Sequence, residues 1–464
     1  MKKEIVTFGF VVLLGIFILS GCKKDDNNLQ PSKTIVQVAE SQSNLSSLVA
    51  ALTKFPDLVA VLNGSDKFTV FAPTNEAFAA LLKTIGQTSI DDVPEPVLKS
   101  LLQYHVTTGS VLSTQLKAGN LSTANMESIA VAVSPEITLN GSAKVLTADV
   151  QASNGVIHII DNVLVPPSMA KFVNTVVQPA YFNKNFTTLI AAVTAASPSI
   201  LETLLNSSKK TLFAPTNDAF TAAGINSLPD RATLDAVLAY HLIGSEVLSS
   251  QLPSNTAPEN SAITTLGGIF YLSNRGSNGI FINGNTRVTT PDIQVGNGVV
   301  HVINRTLIPP SKTIAQIATA LSTASSGAQF TQLVAALGRV PALLTAASNG
   351  AANLTVFAPT DAAFTQLYQA LGVSGINDID LTTLTAVLQH HIISAPTTTT
   401  GRIFSSDLVT ASVPTLNGNI SIDAMTGKIT SGNGTVANIS SNPALVNVLG
   451  SNGVIHTIDK VLIP

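Results

Sequence analysis

The hydrophobic positions of this chain fall into short blocks, and each block predicts one element. Leu48-Val49-Ala50-Ala51-Leu52 is an apolar block, followed closely by Pro56, which opens a further apolar run of helical character. Thr69-Val70-Phe71 is β-branched and aromatic and predicts a strand. Pro73 ends that strand, Thr74 or Asn75 can cap a helix, and Glu76 then falls in the electropositive first turn. Leu98, Leu101 and Leu102 have helical spacing and lead into Tyr104-His105. Asn154-Gly155 predicts a turn, of the kind that joins hairpin strands, feeding the almost wholly apolar Val156-Ile157-His158-Ile159-Ile160. A strand apolar at successive positions is buried on both faces. Together these elements predict helices packed on a small, mostly antiparallel sheet system, an α+β domain.

The same blocks return twice. Phe71-Ala72-Pro73-Thr74-Asn75-Glu76-Ala77-Phe78 recurs from Phe213 to Phe220 and again from Phe357 to Phe364, at offsets of 142 and 144 residues. Asn154-Gly155-Val156-Ile157-His158 returns as Asn297-Gly298-Val299-Val300-His301 and as Asn452-Gly453-Val454-Ile455-His456. Pro56 is matched by Pro198 and Pro341, and Tyr104-His105 by Tyr240-His241 and His390-His391. A period this long means three whole domains and not a solenoid of 20–50-residue units. The first two repeats close on Pro166-Pro167-Ser168 and Pro309-Pro310-Ser311, so linkers are almost absent. The predicted organisation is residues 32–167, 168–310 and 311–464.

The residues before the first repeat have another pattern. Lys2 and Lys3 precede fifteen almost wholly apolar residues, 5–19, and then Leu19-Ser20-Gly21-Cys22. Fifteen residues are short for a spanning helix, which needs ~20, and suit the apolar core of a secretory signal. The stretch resembles the bacterial lipoprotein signal, in which small residues precede a cysteine that is lipidated and becomes the first residue of the mature chain. The expectation is therefore a signal peptide over residues 1–22, lipid on Cys22, and a polar tether over 23–31. Lys23-Lys24-Asp25-Asp26 resembles the surface-export signal of some Gram-negative lipoproteins and reads equally as a solvated linker. Localisation follows as the cell envelope, anchored to the outer membrane and surface-exposed, or else facing the periplasm.

Charge and composition narrow the chemistry. Only 11% of residues are charged and the net charge is −3, which gives no concentration of Lys and Arg for nucleic acid. One cysteine excludes an intrachain disulfide framework. No His-Glu-x-x-His, Asp-rich calcium loop, Gly-x-Ser-x-Gly or Gly-Lys-Ser/Thr loop is present, so no metal, cofactor or enzyme activity is expected. A Ser-His-Asp triad assembled in space stays open, because triads are defined by geometry. All seven histidines belong to the repeats. His158, His301 and His456 read as satisfied residues of a buried strand, and His105 and His241 as packing residues.

The three repeats resemble the fasciclin (FAS1) family, whose signatures are the Thr-Val-Phe-Ala-Pro-Thr-Asn-x-Ala-Phe and Asn-Gly-Val-Ile-His blocks with a Tyr-His pair between them. The resemblance implies a β-sandwich or wedge with packed helices, and an extracellular protein associated with adhesion, matrix contact or polysaccharide. The expected function is adhesion or matrix and polymer binding by a lipid-anchored surface protein; the alternative is capture of a polysaccharide or other ligand for uptake. Expected partners are the membrane, through the lipid on Cys22, and a protein or polysaccharide ligand. The resemblance also points to an Asp-Ile pair before the second signature: Asp292-Ile293 here, with Asp149-Val150 and Asn447-Val448 in register. An acidic residue beside an exposed branched one offers a carboxylate and a small apolar anchor; the same pair also reads as a strand edge with Asp capping a turn. Tyr104, His105, Tyr240 and His241 are partner-contact candidates on the resemblance alone. The third repeat departs: His390 replaces Tyr, and loops lengthen near Ala395 and between Ser431 and Ser451. In the second, Asn304-Arg305 stands for Asp161-Asn162. Binding is expected first of repeats one and two, with repeat three a different surface or a spacer.

Overall fold

The computed structural model describes residues 31–325, 327–394 and 402–464. The leader, Cys22, the tether up to residue 30 and the loop at Ala395 lie outside the described residues.

Each repeat opens with short helices. Pro56, Pro198 and Pro341 each start one, at Pro56–Leu62, Pro198–Leu205 and Pro341–Ser348, because proline's fixed φ and missing N–H suit the first helical position. The strand–turn–helix corner follows. In repeat one it is strand Phe68–Pro73, then helix Asn75–Ile85 with Thr74 as N-cap, its hydroxyl accepting from Ala77 N–H at 3.2 Å. Thr216 and Thr360 cap in the same way. Asn75 has a different task. Its side-chain oxygen accepts from Ser47 N–H at 2.8 Å and its amide donates to Ser43 C=O, which pins the neighbouring helix Ser46–Leu52. Asn217 and Asp361 hold the matching helices in repeats two and three.

Repeat one carries a seven-stranded sheet. Strand Phe68–Pro73 lies second from one edge, antiparallel to Val106–Thr108 and parallel to Gly155–Ile160, with Phe71 beside His158. All other pairings are antiparallel. The ten-residue strand Ala143–Ala152 shifts register twice and so bends the sheet into a wedge. Repeat two repeats this topology, with strand Thr286–Val295 as the bent one. In repeat three the bent strand is broken into Val436–Asn438 and Val448–Gly450 by the longer loop between them, and the sheet becomes two sheets of four strands.

Both central strands are buried on both faces, so each repeat has two hydrophobic clusters. In repeat one, Val70, Ala72, Ile157 and Ile159 face the helices, while Phe71 and Ile160 face the far half of the wedge with Tyr104 and Ile129. Repeats two and three divide in the same way.

The ends of each repeat are closed by one amide. Asn154 is 3% exposed; its oxygen accepts from Ile35 N–H at 2.8 Å, and its nitrogen donates to Leu62 C=O at 2.7 Å and Gly64 C=O at 3.0 Å. Asn297 does this for Val176, Leu204 and Asn206, and Asn452 for Ile314, Ala347 and Asn349. The glycine that follows cannot be replaced. At Gly155 φ is +150°, and a Cβ would stand 1.9 Å from Phe68 O. Replacing Asn154 by Ala strands two buried backbone groups, each costing ~1–3 kcal/mol. Urea unfolding of the Asn154→Ala chain is expected to show repeat one destabilised by roughly 3 kcal/mol; an unchanged midpoint would refute the closure role.

Candidate functional site

The Asp-Ile and Asp-Val pairs sit on the bulge of the bent strand. Asp149 and Asp292 adopt φ of +62° and +63°, a left-handed conformation that Asp tolerates better than most residues. Both carboxylate oxygens of Asp149 are used: one accepts from Ser113 N–H at 2.7 Å and the other from Ser113 Oγ at 2.5 Å. Its own N–H donates to His158 Nδ1 at 3.2 Å, and His158 Nε2–H donates to Val111 C=O at 2.9 Å. Asp292, Ser249, His301 and Val247 reproduce the arrangement. In repeat three Asn447 takes over, accepting from Ser405 N–H and donating to Ser405 Oγ. Burial raises the Asp149 carboxyl, but the two Ser113 hydrogen bonds outweigh it and hold it below the ordinary value. Val150 and Ile293 are half-buried against the helical-side clusters. The geometry matches the second of the two readings of this pair, an Asp capping a turn at a strand edge: it braces a 3₁₀ turn against the bulge, and about a third of the Asp292 side chain (33%) stays accessible.

The Tyr-His pair lies deeper. Tyr104 is fully buried, donating to Ser128 C=O at 2.8 Å and accepting from Asn140 at 3.0 Å. His105 Nδ1–H donates to Leu101 C=O at 2.8 Å, and Nε2 accepts from Leu164 N–H at 2.8 Å, which sets one neutral tautomer. Tyr240 donates to Ile269 C=O, and His241 bonds Val237 C=O and Leu307 N–H. Burial pushes the Tyr240 hydroxyl up to about 12. Direct contact between a partner and Tyr104, His105, Tyr240 or His241 does not fit this placement: each is at most 2% exposed, with its polar atoms spent inside the domain. His390, in the Tyr position of repeat three, bonds Asn417 C=O and Ser431 Oγ. Asn304 accepts from Arg287 N–H as Asp161 accepts from Lys144 N–H, so that departure leaves the turn intact.

Ser113, Asp149 and His158 do meet in space, yet they form no proton relay. The serine hydroxyl donates to the carboxylate, and both imidazole nitrogens are bonded to backbone. Among the described residues no group of three His, Cys, Asp or Glu side chains is placed to hold a metal ion, and no helix is long and apolar enough to cross a membrane.

Residues 43–166, 184–309 and 328–464 each match the Fasciclin domain. The chain belongs to the fasciclin family. It is 41% identical over 134 residues to protein sll1483 of Synechocystis sp., covering 29% of this chain and 74% of that protein. It is 29% identical over 337 residues to transforming growth factor-beta-induced protein ig-h3 of Sus scrofa, covering 71% of this chain and 45% of that one. A third relative is the cell surface glycolipoprotein MPB83 of Mycobacterium bovis, 32% identical over 139 residues, covering 29% of this chain and 61% of that one. The chain thus spans less than half the length of ig-h3.

Sequence patterning did not reveal the junction of the second and third fasciclin domains. Asp407 is fully buried there and accepts from Asn260, Ser273 and Arg275 of the second domain at 2.7, 2.5 and 2.7 Å. Its counterparts Gln115 and Gln251 only cap their own turns, at Leu112 and Leu248 N–H. The Arg402 guanidinium lies 4.7 Å over the Tyr271 ring. Gly284 lets the two domains touch: with φ at +79°, a Cβ there would lie 2.5 Å from Phe404 Cβ. The one available signal was the break in register at Asp407. Beside this junction lies a cleft of about 400 Å³, lined by Arg305, Lys312, Asn285 and Ser311 and by no Asp or Glu.

The buried histidines make stability depend on pH. Burial lowers His105, His241, His391 and His456 to about 4, against ~6.5 in an unfolded chain. Above that value both states are neutral. As pH falls below it the unfolded chain takes up protons first, and folding loses up to ~1.4 kcal/mol per pH unit for each such imidazole. Urea midpoints are expected to fall steadily from about pH 6.5 to about pH 4; a flat profile across that window would contradict the buried neutral tautomers.

Proposed function

We propose that this fasciclin protein is a lipid-anchored cell-envelope protein, exposed at the outer surface, that adheres to a matrix protein or polymer through its tandem domains. The observation that carries this reading is the order of the chain: a basic and apolar leader, Leu19-Ser20-Gly21-Cys22, a short polar tether, then three fasciclin domains with almost no linker. MPB83, a relative of one domain, is by name a cell surface glycolipoprotein. Two or more acyl chains on Cys22 anchor stably where one chain binds only marginally. Three linked domains raise avidity without any tight single site. Metabolic labelling with an alkyne fatty acid is expected to mark the wild-type chain and to leave Cys22→Ser unmarked; an unlabelled wild type would remove the anchor. Protease shaving of intact cells is expected to degrade the chain, and full protection would turn the domains to the periplasm.

A second reading, capture of an acidic polysaccharide, draws on the cleft between the second and third domains. Arg305 and Lys312 line it, neither forms an ion pair among the described residues, and no acidic side chain opposes them. Such a cleft attracts carboxylate or sulfate groups, and more weakly as salt rises. A glycan array is expected to show acidic over neutral glycans, with the signal lost in the Arg305→Ala/Lys312→Ala chain. Equal signals from the variant would leave adhesion as the sole reading.

A further inference from the structure

The three domains fill their helical-side cores differently at two places in register. Six residues after the helix-opening proline stand Leu62, Leu204 and Ala347, all buried. The first residue of the following strand is Phe68, Lys210 or Leu354. Leu62 and Phe68 belong to the core of the first domain. In the second, Leu204 keeps its place, and the Lys210 ammonium turns to Asn206 C=O and Ser208 C=O. The third domain has the smaller residue of each pair when compared with the first, and there a cavity of about 250 Å³ remains, lined by Ala347, Leu354, Ile314, Phe330 and Leu388.

That volume is unusual for a protein interior, where voids larger than a water molecule are few. Its walls do not suit water. No charged residue lines it, and its polar lining is His391 and Ser394. Both His391 nitrogens are already bonded, to Val387 C=O at 2.7 Å and Leu462 N–H at 2.8 Å. A buried water needs two to four polar partners, whereas an apolar cavity of ~150 Å³ stays dry and admits benzene. The cavity has an outlet: Leu416 and Ser394 line it and are exposed at the surface, Leu416 by 45%.

We propose that the third fasciclin domain binds a compact, uncharged apolar molecule of about two fused rings between its helices and its central strands. Signature residues Val356, Phe357, Ala358 and Ile455 form part of its wall, but the two positions that open it, Ala347 and Leu354, stand just before the first signature, and the site is independent of the anchor. Ala347 is the gate of specificity: a leucine there, the residue of both other domains, refills the space.

The test uses the full chain with naphthalene as probe. Naphthalene at saturation is expected to raise the thermal midpoint of the wild type, as any ligand selective for the folded state does. Ala347→Leu is expected to raise the midpoint without ligand, and to lower naphthalene affinity by at least about tenfold. Because leader and lipid are common to both chains, the difference between them isolates the cavity. Should Ala347→Leu fail to fold, Ala347→Val fills less of the space and is expected to weaken affinity by a smaller factor. No midpoint shift in the wild type, or equal shifts in wild type and variant, would overturn the proposal.

Discussion

One buried amide per domain closes the fold. Asn154 joins the N-terminus of the first helix, the C-terminus of the helix before the central strand, and the hairpin that starts the last strand, so residue 35 is tied to residue 154. Closing a loop of that length costs conformational entropy, though the cost grows only slowly with length. Parallel pairing of Phe68–Pro73 with Gly155–Ile160 supplies the compensating burial. The pairing is possible because Gly155 has no Cβ to meet Phe68 O. Once the two strands lie side by side, second and third from one edge of the sheet, both faces must be covered. Helices from the first half of the domain cover one face and the folded-over half of the wedge covers the other, which is why each domain has two hydrophobic clusters and not one.

The sequence reports the local parts of this architecture well and the long-range parts poorly. The helix-opening prolines, the Thr74, Thr216 and Thr360 caps and the Asn-Gly turns act within a few residues of themselves, and their signals are in the adjacent letters. Asn75 acts on Ser43 and Ser47, and Asp149 on Ser113. Those partners lie about thirty residues away and become neighbours only after the chain folds. The histidines lay between these cases. Burial of His158 followed from its apolar strand, but its ring as a strut between the Asp149 bulge and Val111 did not.

The same distinction explains why Tyr104, His105, Asp149 and their counterparts are bonded within their own domains. Tyr104 and Asp149 recur in the second domain as Tyr240 and Asp292, and His390 and Asn447 take their places in the third. Tyr104, His105, Asp149 and their counterparts each bond backbone groups of their own domain. Leaving such groups unsatisfied costs more than a typical hydrogen bond contributes, so these positions have little freedom to change. Membership of the fasciclin family therefore carries the fold.

The differences between the repeats gather toward the third domain. Asp407, in place of a capping glutamine, reaches across to Arg275, and breaking such a buried pair leaves an uncompensated charge, which holds the second and third domains in one arrangement. Fixing that arrangement also fixes the cleft that carries Arg305 and Lys312, since its walls come from both domains. Ala347, in place of leucine, opens the core behind the central strands. The broken strand of the third domain relaxes the brace that Asp149 and Asp292 impose elsewhere, and His456 Nδ1 is left without a partner among the described residues. Repeating one closed scaffold three times thus keeps the amide closure and the threonine cap in every copy, while the last copy, held to its neighbour by the buried Asp407 together with the Arg402–Tyr271 contact, is where the chain differs most from its own pattern.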